Sequence, residues 1–217
     1  MRIVSKLLVA LFTFGFGVLV SALALSATNA LTFVSESSVN PVQIQTGLEE
    51  EKYAVLSAVI NAMYIEGETS LLVIANDGPC TEEQLQAPDQ QHSEELENFA
   101  FAGLPGLKRE TIMNYHEGMR GCHRLQREFD IPATYVLVDR SESNRLFDRG
   151  WSQFHEKYPG SSGVLDFSEV AFDFEQRQAL VRVSRNCGGE CGAGGFVLLK
   201  KIDGTWRLDK QIRTWVS

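Results

Sequence analysis

The chain has 217 residues, of which 28 are acidic and 20 basic, giving a formal net charge of −8 at pH 7. Its composition is that of an ordinary globular protein, and the length suits one domain with a sizeable core. Because a field of this sign repels phosphate backbones, the charge argues against nucleic acid as a partner.

The N-terminus has the pattern of an export signal. Arg2 and Lys6 precede a nearly unbroken apolar run from residue 7 to about residue 25, and small residues suited to cleavage follow it. We expect residues 1–30 to be a signal peptide. Because the apolar run is long, an uncleaved single-span anchor is the alternative. The protein is therefore expected to be exported, either periplasmic or extracellular, and to touch the membrane only through this segment.

Helical patterns dominate the chain up to Pro159. Residues 31–45 lack periodicity and are interpreted as a linker, and residues 46–217 as a single domain. Thr46 and Glu49 form a capping box, which predicts a helix start. Further helices are predicted at 93–101, 107–119 and 146–158, and short strands at 70–75 and 135–138.

After Pro159 the pattern changes to strands. In the last segment Trp206, Leu208 and Ile212 share one face while charged residues share the other, as in a half-solvated antiparallel strand. The predicted strands are 164–174, 179–185, 196–202 and 206–216. The expected fold is therefore α+β, with N-terminal helices and two short strands followed by a C-terminal four-stranded antiparallel meander.

A glycine-rich run with two cysteines lies between two of these strands, at residues 186–195. Glycine density of this kind indicates backbone conformations or close approaches that side chains would forbid. A side-chain-poor, stiffened loop is suited to binding, because little ordering is needed when a partner docks. The predicted binding-loop residues are Gly188, Gly189, Glu190, Gly192, Gly194 and Gly195.

The four cysteines of an exported chain are most often two disulfides, with three possible connectivities. We favour Cys187–Cys191 and Cys80–Cys122 as structural pairs. A redox pair would usually have Cys-x-x-Cys spacing at a helix N-terminus, whereas Cys187 and Cys191 are one residue further apart and lie between strands. A metal clip at these two cysteines is the other alternative.

Several motifs in the last 60 residues form one combined pattern. They are Y-P-G-S-S-G at 158–163, A-L-V at 179–181, C-G-G-E-C-G-A-G-G at 187–195, G-T-W at 204–206 and the ending W-V-S at 215–217. The pattern resembles the C-terminal part of a group of uncharacterised exported bacterial proteins. That resemblance supports the α+β fold and export, and it implies no activity.

A second candidate site is the group His116, Glu117, Cys122 and His123. Cysteine and histidine side chains close together can bind zinc or form a nucleophile with its base. The spacing matches no established zinc pattern, and surface or packing histidines explain these residues more simply. No metal, cofactor or catalytic residue is assigned.

The expected function is a non-enzymatic binding or structural domain of the cell envelope, whose partner is an unknown protein or envelope component. None of the Gly-x-Ser-x-Gly, His-Glu-x-x-His or Ser-x-x-Lys motifs occurs, which lowers the expectation of an enzyme. The alternative is an envelope hydrolase or metal-dependent enzyme that uses His116, Cys122 and His123.

Overall fold

The computed structural model describes residues 41–65, 71–77, 102–119, 121, 123–148, 150–188 and 191–217, with side chains from residue 46 onwards. Helices in this part are α1 (Pro41–Met63), α2 (Arg109–Gly118), α3 (Arg140–Asp148) and α4 (Trp151–Lys157). Strands are β1 (Leu71–Ala75), β2 (Tyr135–Val138), β3 (Ser161–Phe167), β4 (Ala171–Phe172), β5 (Gln178–Asn186), β6 (Ala193–Ile202) and β7 (Thr205–Val216).

The described strands form one mixed sheet of seven, in the order β2-β1-β3-β5-β6-β7, with β4 also paired to β5. The α+β class is confirmed. The four-stranded meander is wrong as the complete sheet, because the C-terminal antiparallel strands are part of a seven-stranded mixed sheet that continues through β3 to β1 and β2. The two short strands that were predicted ahead of the meander join the same sheet: β1 pairs in parallel with both β2 and β3.

The predicted strand 164–174 is in fact two strands, β3 and β4. Both pair with β5 in antiparallel fashion, and the residues between them leave the ladder. There the main-chain N–H of Ser168 donates to the carbonyl of Arg182 at 2.9 Å, and the Ser168 hydroxyl accepts from the Arg182 N–H at 2.9 Å. A side chain thus replaces one backbone partner, which interrupts the strand without leaving that donor unsatisfied.

Two predicted helix boundaries differ from the structure. The first helix begins at Pro41, ahead of Thr46, and proline is favoured in the first turn because its missing N–H has no helical partner there. The predicted helix 146–158 is divided into α3 and α4. Gly150 separates them with φ = 96°, a conformation that a continuous helix cannot contain. The predicted helix 93–101 lies outside the described residues.

Helices cover both faces of the sheet. The largest hydrophobic cluster packs α1, through Tyr53, Leu56 and Ile60, against one face. On the other face, α2 packs against β4–β6, and α3 and α4 pack around β1–β3. The apolar side chains that repeat at helical spacing, Tyr53, Leu56 and Ile60 in α1 and Ile112 and Tyr115 in α2, are the ones buried.

Candidate functional site

The glycine run connects β5 to β6 and is closed by a disulfide. Cys187 and Cys191 are joined, with their Cα atoms 5.5 Å apart, which confirms this predicted pair. Gly189 and Glu190 lie outside the described residues, as do Cys80 and Cys122, so the second predicted pair stays a prediction. Gly194 and Gly195 belong to β6 rather than to a loop.

The described glycines of this run leave room for two tryptophans. A Cβ at Gly192 would come within 2.9 Å of the Trp215 ring, and one at Gly194 within 2.7 Å of the same indole. Gly188, with φ = 135°, lies against the ring of Trp151. The high glycine content of this segment is therefore explained first by packing.

The C-terminal residue, Ser217, is hydrogen-bonded to the glycine run. The N–H of Ser217 donates to the carbonyl of Gly192 at 2.9 Å, and the N–H of Gly192 donates to the Ser217 hydroxyl at 3.1 Å. The W-V-S ending and the glycine run, recognised in the sequence as separate pieces of one pattern, thus form a single contact.

A concave pocket lies directly beside this segment, between the C-terminal end of α1 and the sheet. It has a volume of about 400 Å³, within the size range of small-ligand sites. We call it the β5–β7 pocket. Its lining comes from residue 63 at the end of α1 and residue 64 after it, 183 and 185 of β5, 193–197 of β6 and 211–213 of β7.

The electrostatic character of the β5–β7 pocket comes from Arg185, Arg213 and Tyr64. Within the described part of the chain, neither guanidinium has a carboxylate oxygen within 4.0 Å. Burial raises the pKa of the Tyr64 hydroxyl, and the positive charge of Arg185 partly opposes that rise. Tyr64 is therefore a neutral phenol at pH 7 that can donate a hydrogen bond, next to two arginines that can do the same.

Sequence reasoning missed these three residues. Arg185 and Arg213 lie far apart in the chain and reach one pocket only through the pairing of β5, β6 and β7. The Asp203-Gly204 turn sets the β6–β7 register only as far as Leu199 and Leu208. Beyond them the register shifts by one residue, and this shift brings Arg213 opposite Gly195.

The second predicted site is only partly assembled in the described residues. His123 lines a separate polar cavity of about 420 Å³ together with Lys52 and Glu169. Its Nε2 contacts the carbonyl of Phe167 at 3.1 Å, and its Nδ1 lies 3.7 Å from Glu169. His116 packs beside Tyr115 on α2, with ring centroids 5.9 Å apart.

The chemistry of that cavity is dominated by ion pairing. Lys52, whose side chain is 6 % exposed, lies 3.0 Å from a carboxylate oxygen of Glu169. Because Nε2 of His123 donates to a main-chain carbonyl, that nitrogen is engaged in holding the ring. Among the residues described, no group of three or more histidine, cysteine or acidic side chains is arranged to hold a metal ion.

Comparisons with protein-family models, with curated proteins and with solved structures found no match. None of the described helices is long and apolar enough to cross a membrane.

Removing the disulfide is expected to destabilise the domain by about 2 kcal/mol. The bridge closes a short ring, and chain-entropy arithmetic gives that value for a sequence separation of 4. The measurement is urea unfolding of the variant carrying Cys187→Ser and Cys191→Ser. The double substitution is preferred to a reducing agent, because a reducing agent would not distinguish this bridge from the predicted Cys80–Cys122 pair. An unchanged midpoint would contradict a structural role for the bridge.

Proposed function

We propose that this chain is an exported, non-enzymatic binding domain of the cell envelope, and that its ligand occupies the β5–β7 pocket. The apolar segment after Arg2 and Lys6 and the resemblance to exported bacterial proteins motivate the export part of the proposal. A disulfide fits the same compartment, because such bonds persist in oxidising surroundings.

The observation that carries the binding part is the position of the pocket. Gly194 and Gly195, both predicted as binding residues, contribute to its wall, and the disulfide-closed segment precedes them directly. The bridge and the contact between Gly192 and Ser217 restrain this side of the pocket. A restrained wall lowers the entropy lost when a ligand binds.

An enzyme that uses His116, Cys122 and His123 has less support. His123 is held by a main-chain carbonyl on one nitrogen and faces Glu169 with the other. A general base needs a nitrogen that can reach the proton it removes. The β5–β7 pocket contains arginines and a tyrosine, which orient a ligand through hydrogen bonds.

Filling the pocket is the test of the proposed function. Gln211 is exposed on β7 and lines the pocket, so Gln211→Trp places a large side chain at its mouth without disturbing the core. Ligand-observed NMR with a set of small aromatic acids, amides and amines is expected to show saturable binding to the full chain. Binding is expected to be lost in Gln211→Trp.

The matched control is Met113→Trp. Met113 is 59 % exposed and lies on α2, which packs against the other face of the sheet. This variant adds the same side chain and is expected to bind as the original chain does. Equal binding in both variants, or no saturable binding by any member of the set, would contradict the proposal.

A further inference from the structure

We propose that the ligand of the β5–β7 pocket carries a carboxylate, bound between Arg185 and Arg213, and a compact apolar body. This inference rests on the proposed function and names the chemical class that the site selects. It follows from the strand register, from the charges around the pocket and from its apolar lining.

The sheet places the two arginines on either side of an open space. Ala193 on β6 pairs with Arg185 on β5, and Gly195 on β6 pairs with Arg213 on β7. Neighbouring strands are about 4.8 Å apart, and Ala193 and Gly195 are two residues apart along β6, so the two arginine backbones are separated by roughly 12 Å. The strand between them presents only a methyl group and a hydrogen at these positions. The gap is wide enough for an anion to accept hydrogen bonds from both guanidiniums.

The charged side chains that line the β5–β7 pocket are positive, whereas the net charge of the whole chain is negative. Acidic residues outnumber basic ones by eight, yet in the described part of the protein none of them pairs with Arg185 or Arg213. Other basic side chains here do have acidic partners: Lys200 lies 3.0 Å from Asp209, and Lys52 lies 3.0 Å from Glu169. Two arginines that line one small pocket and have no acidic partner among the described residues are suited to an anionic ligand.

The rest of the pocket favours a carboxylate over a phosphate. Tyr64 supplies a neutral hydroxyl donor beside Arg185, whereas Met63, Val183 and Val197 supply an apolar wall. Guanidinium and carboxylate match in bidentate geometry. A phosphate group brings more charge and more acceptor oxygens, and the described lining contains neither a lysine nor a helix N-terminus to satisfy them.

Two sources can supply this chemistry, a free aromatic acid or the C-terminal carboxylate of a peptide. Calorimetric titration of the full chain separates them with six probes. The probes are benzoate, benzamide, benzylamine, inorganic phosphate, a phenylalanine-ending tetrapeptide acid and the amide of that peptide. At least one acid is expected to bind at least about tenfold more tightly than its uncharged counterpart, since a charge-assisted hydrogen bond contributes that much. Which acid binds identifies the source.

Variants locate the anion. Arg185→Gln and Arg213→Gln are each expected to weaken acid binding about tenfold, and raised salt is expected to weaken it further. Arg207→Gln is the matched control, because Arg207 is exposed on the same strand but lies outside the pocket. Its affinity for the acid is expected to be unchanged.

The outcomes separate this inference from the proposed function. If benzamide or benzylamine binds as tightly as benzoate, and if this binding is lost in Gln211→Trp, the preference for a carboxylate is wrong. The proposal that the β5–β7 pocket binds a ligand would still stand. Binding of inorganic phosphate in preference to both acids would overturn it as well. Acid binding that persists in both arginine variants would place the anion elsewhere and contradict the inference. No binding by any probe would contradict both proposals.

Discussion

Gly195→Ala is expected to destabilise the domain by about 3 kcal/mol or more, lowering the unfolding midpoint by roughly 10 °C. A Cβ at this position would overlap the carbonyl oxygen of Ile212 and come within 2.9 Å of the Arg213 Cα. Both obstacles are backbone atoms of β7, which no change of side-chain rotamer can move. The measurement is thermal unfolding followed by circular dichroism.

The close approach arises at an irregularity in the β6–β7 ladder. Gly194 pairs with Trp215 and Gly195 with Arg213, so Thr214 is an extra residue on β7. Such a bulge bends its strand and increases the local twist. Because Gly195 also lines the β5–β7 pocket, the substitution is expected to weaken ligand binding as well.

Gly47→Ala is the matched control for this prediction. It makes the same chemical change in α1, where a Cβ would have no neighbour within 4 Å. Alanine is favoured over glycine inside a helix by about 1 kcal/mol, so this variant is expected to be slightly more stable than the original chain. Equal loss of stability in the two variants would contradict the steric explanation for Gly195.

Asp173→Ala is expected to cost about 3 kcal/mol, because it removes the acceptor of two main-chain donors. Asp173 has a fully buried side chain in the turn between β4 and β5. Its Oδ1 accepts from the N–H of Arg177 at 2.7 Å and from the N–H of Gln178 at 2.9 Å. Its Oδ2 accepts from Lys108 at 2.5 Å, which ties the segment before α2 to the sheet. Urea unfolding measures the loss.

Asp173→Asn separates the two roles of this carboxylate. An amide oxygen can still accept from both main-chain N–H groups, whereas the ion pair with Lys108 is lost. The asparagine variant is therefore expected to be clearly more stable than the alanine variant and less stable than the original chain at pH 7. Equal stability of the two variants would show that the turn does not depend on the acceptor at Oδ1.

The same carboxylate predicts a pH dependence. Burial raises the pKa of Asp173, but the hydrogen bonds from Lys108, Gln178 and Arg177 outweigh it and leave the pKa lowered. A lowered folded-state pKa contributes stability above the unfolded pKa of about 4, and this contribution is lost as the pH falls through the folded value. The stability difference between the original chain and Asp173→Asn is expected to shrink from pH 5 downwards. A difference that stays constant to pH 2 would contradict this.

Local sequence patterns predicted most of the described helices and strands, but they did not predict which strands pair with each other. Two-residue alternation identifies β7 as a strand, but the face predicted for Ile212 is wrong. The register shift opposite Leu198 and Leu199 reverses the alternation. Trp206 and Leu208 therefore pack on the α1 face, whereas Ile212 packs on the other face. Helical spacing identifies the buried face of α1 at Leu56 and Ile60. Periodicity carries no information about which strand neighbours which. For that reason β1, which lies between β2 and β3, could not be placed in the sheet from its own five residues.

The candidate site was likewise predictable in its local features and not in its long-range contacts. Glycine density indicated correctly that the run at 186–195 has special backbone requirements. The disulfide was predicted from the presence of four cysteines in a chain that is expected to be exported. The reason for the glycines lies in Trp215 and Trp151, which approach from β7 and α4. The arginines of the pocket could not be recognised from sequence motifs, because two isolated basic residues on different strands come together only when the sheet forms.

The most direct test of the proposed binding site is a protein-observed NMR titration of the full ¹⁵N-labelled chain with benzoate, benzamide and benzylamine. The predicted result is that at least one probe moves the amide signals of Ala193, Gly195 and Arg213 together and with saturation, while the amide of Met113 on the other face stays in place. Shifts scattered over both faces of the sheet, or no saturable shift at these three amides with any probe, would contradict a ligand site in the β5–β7 pocket.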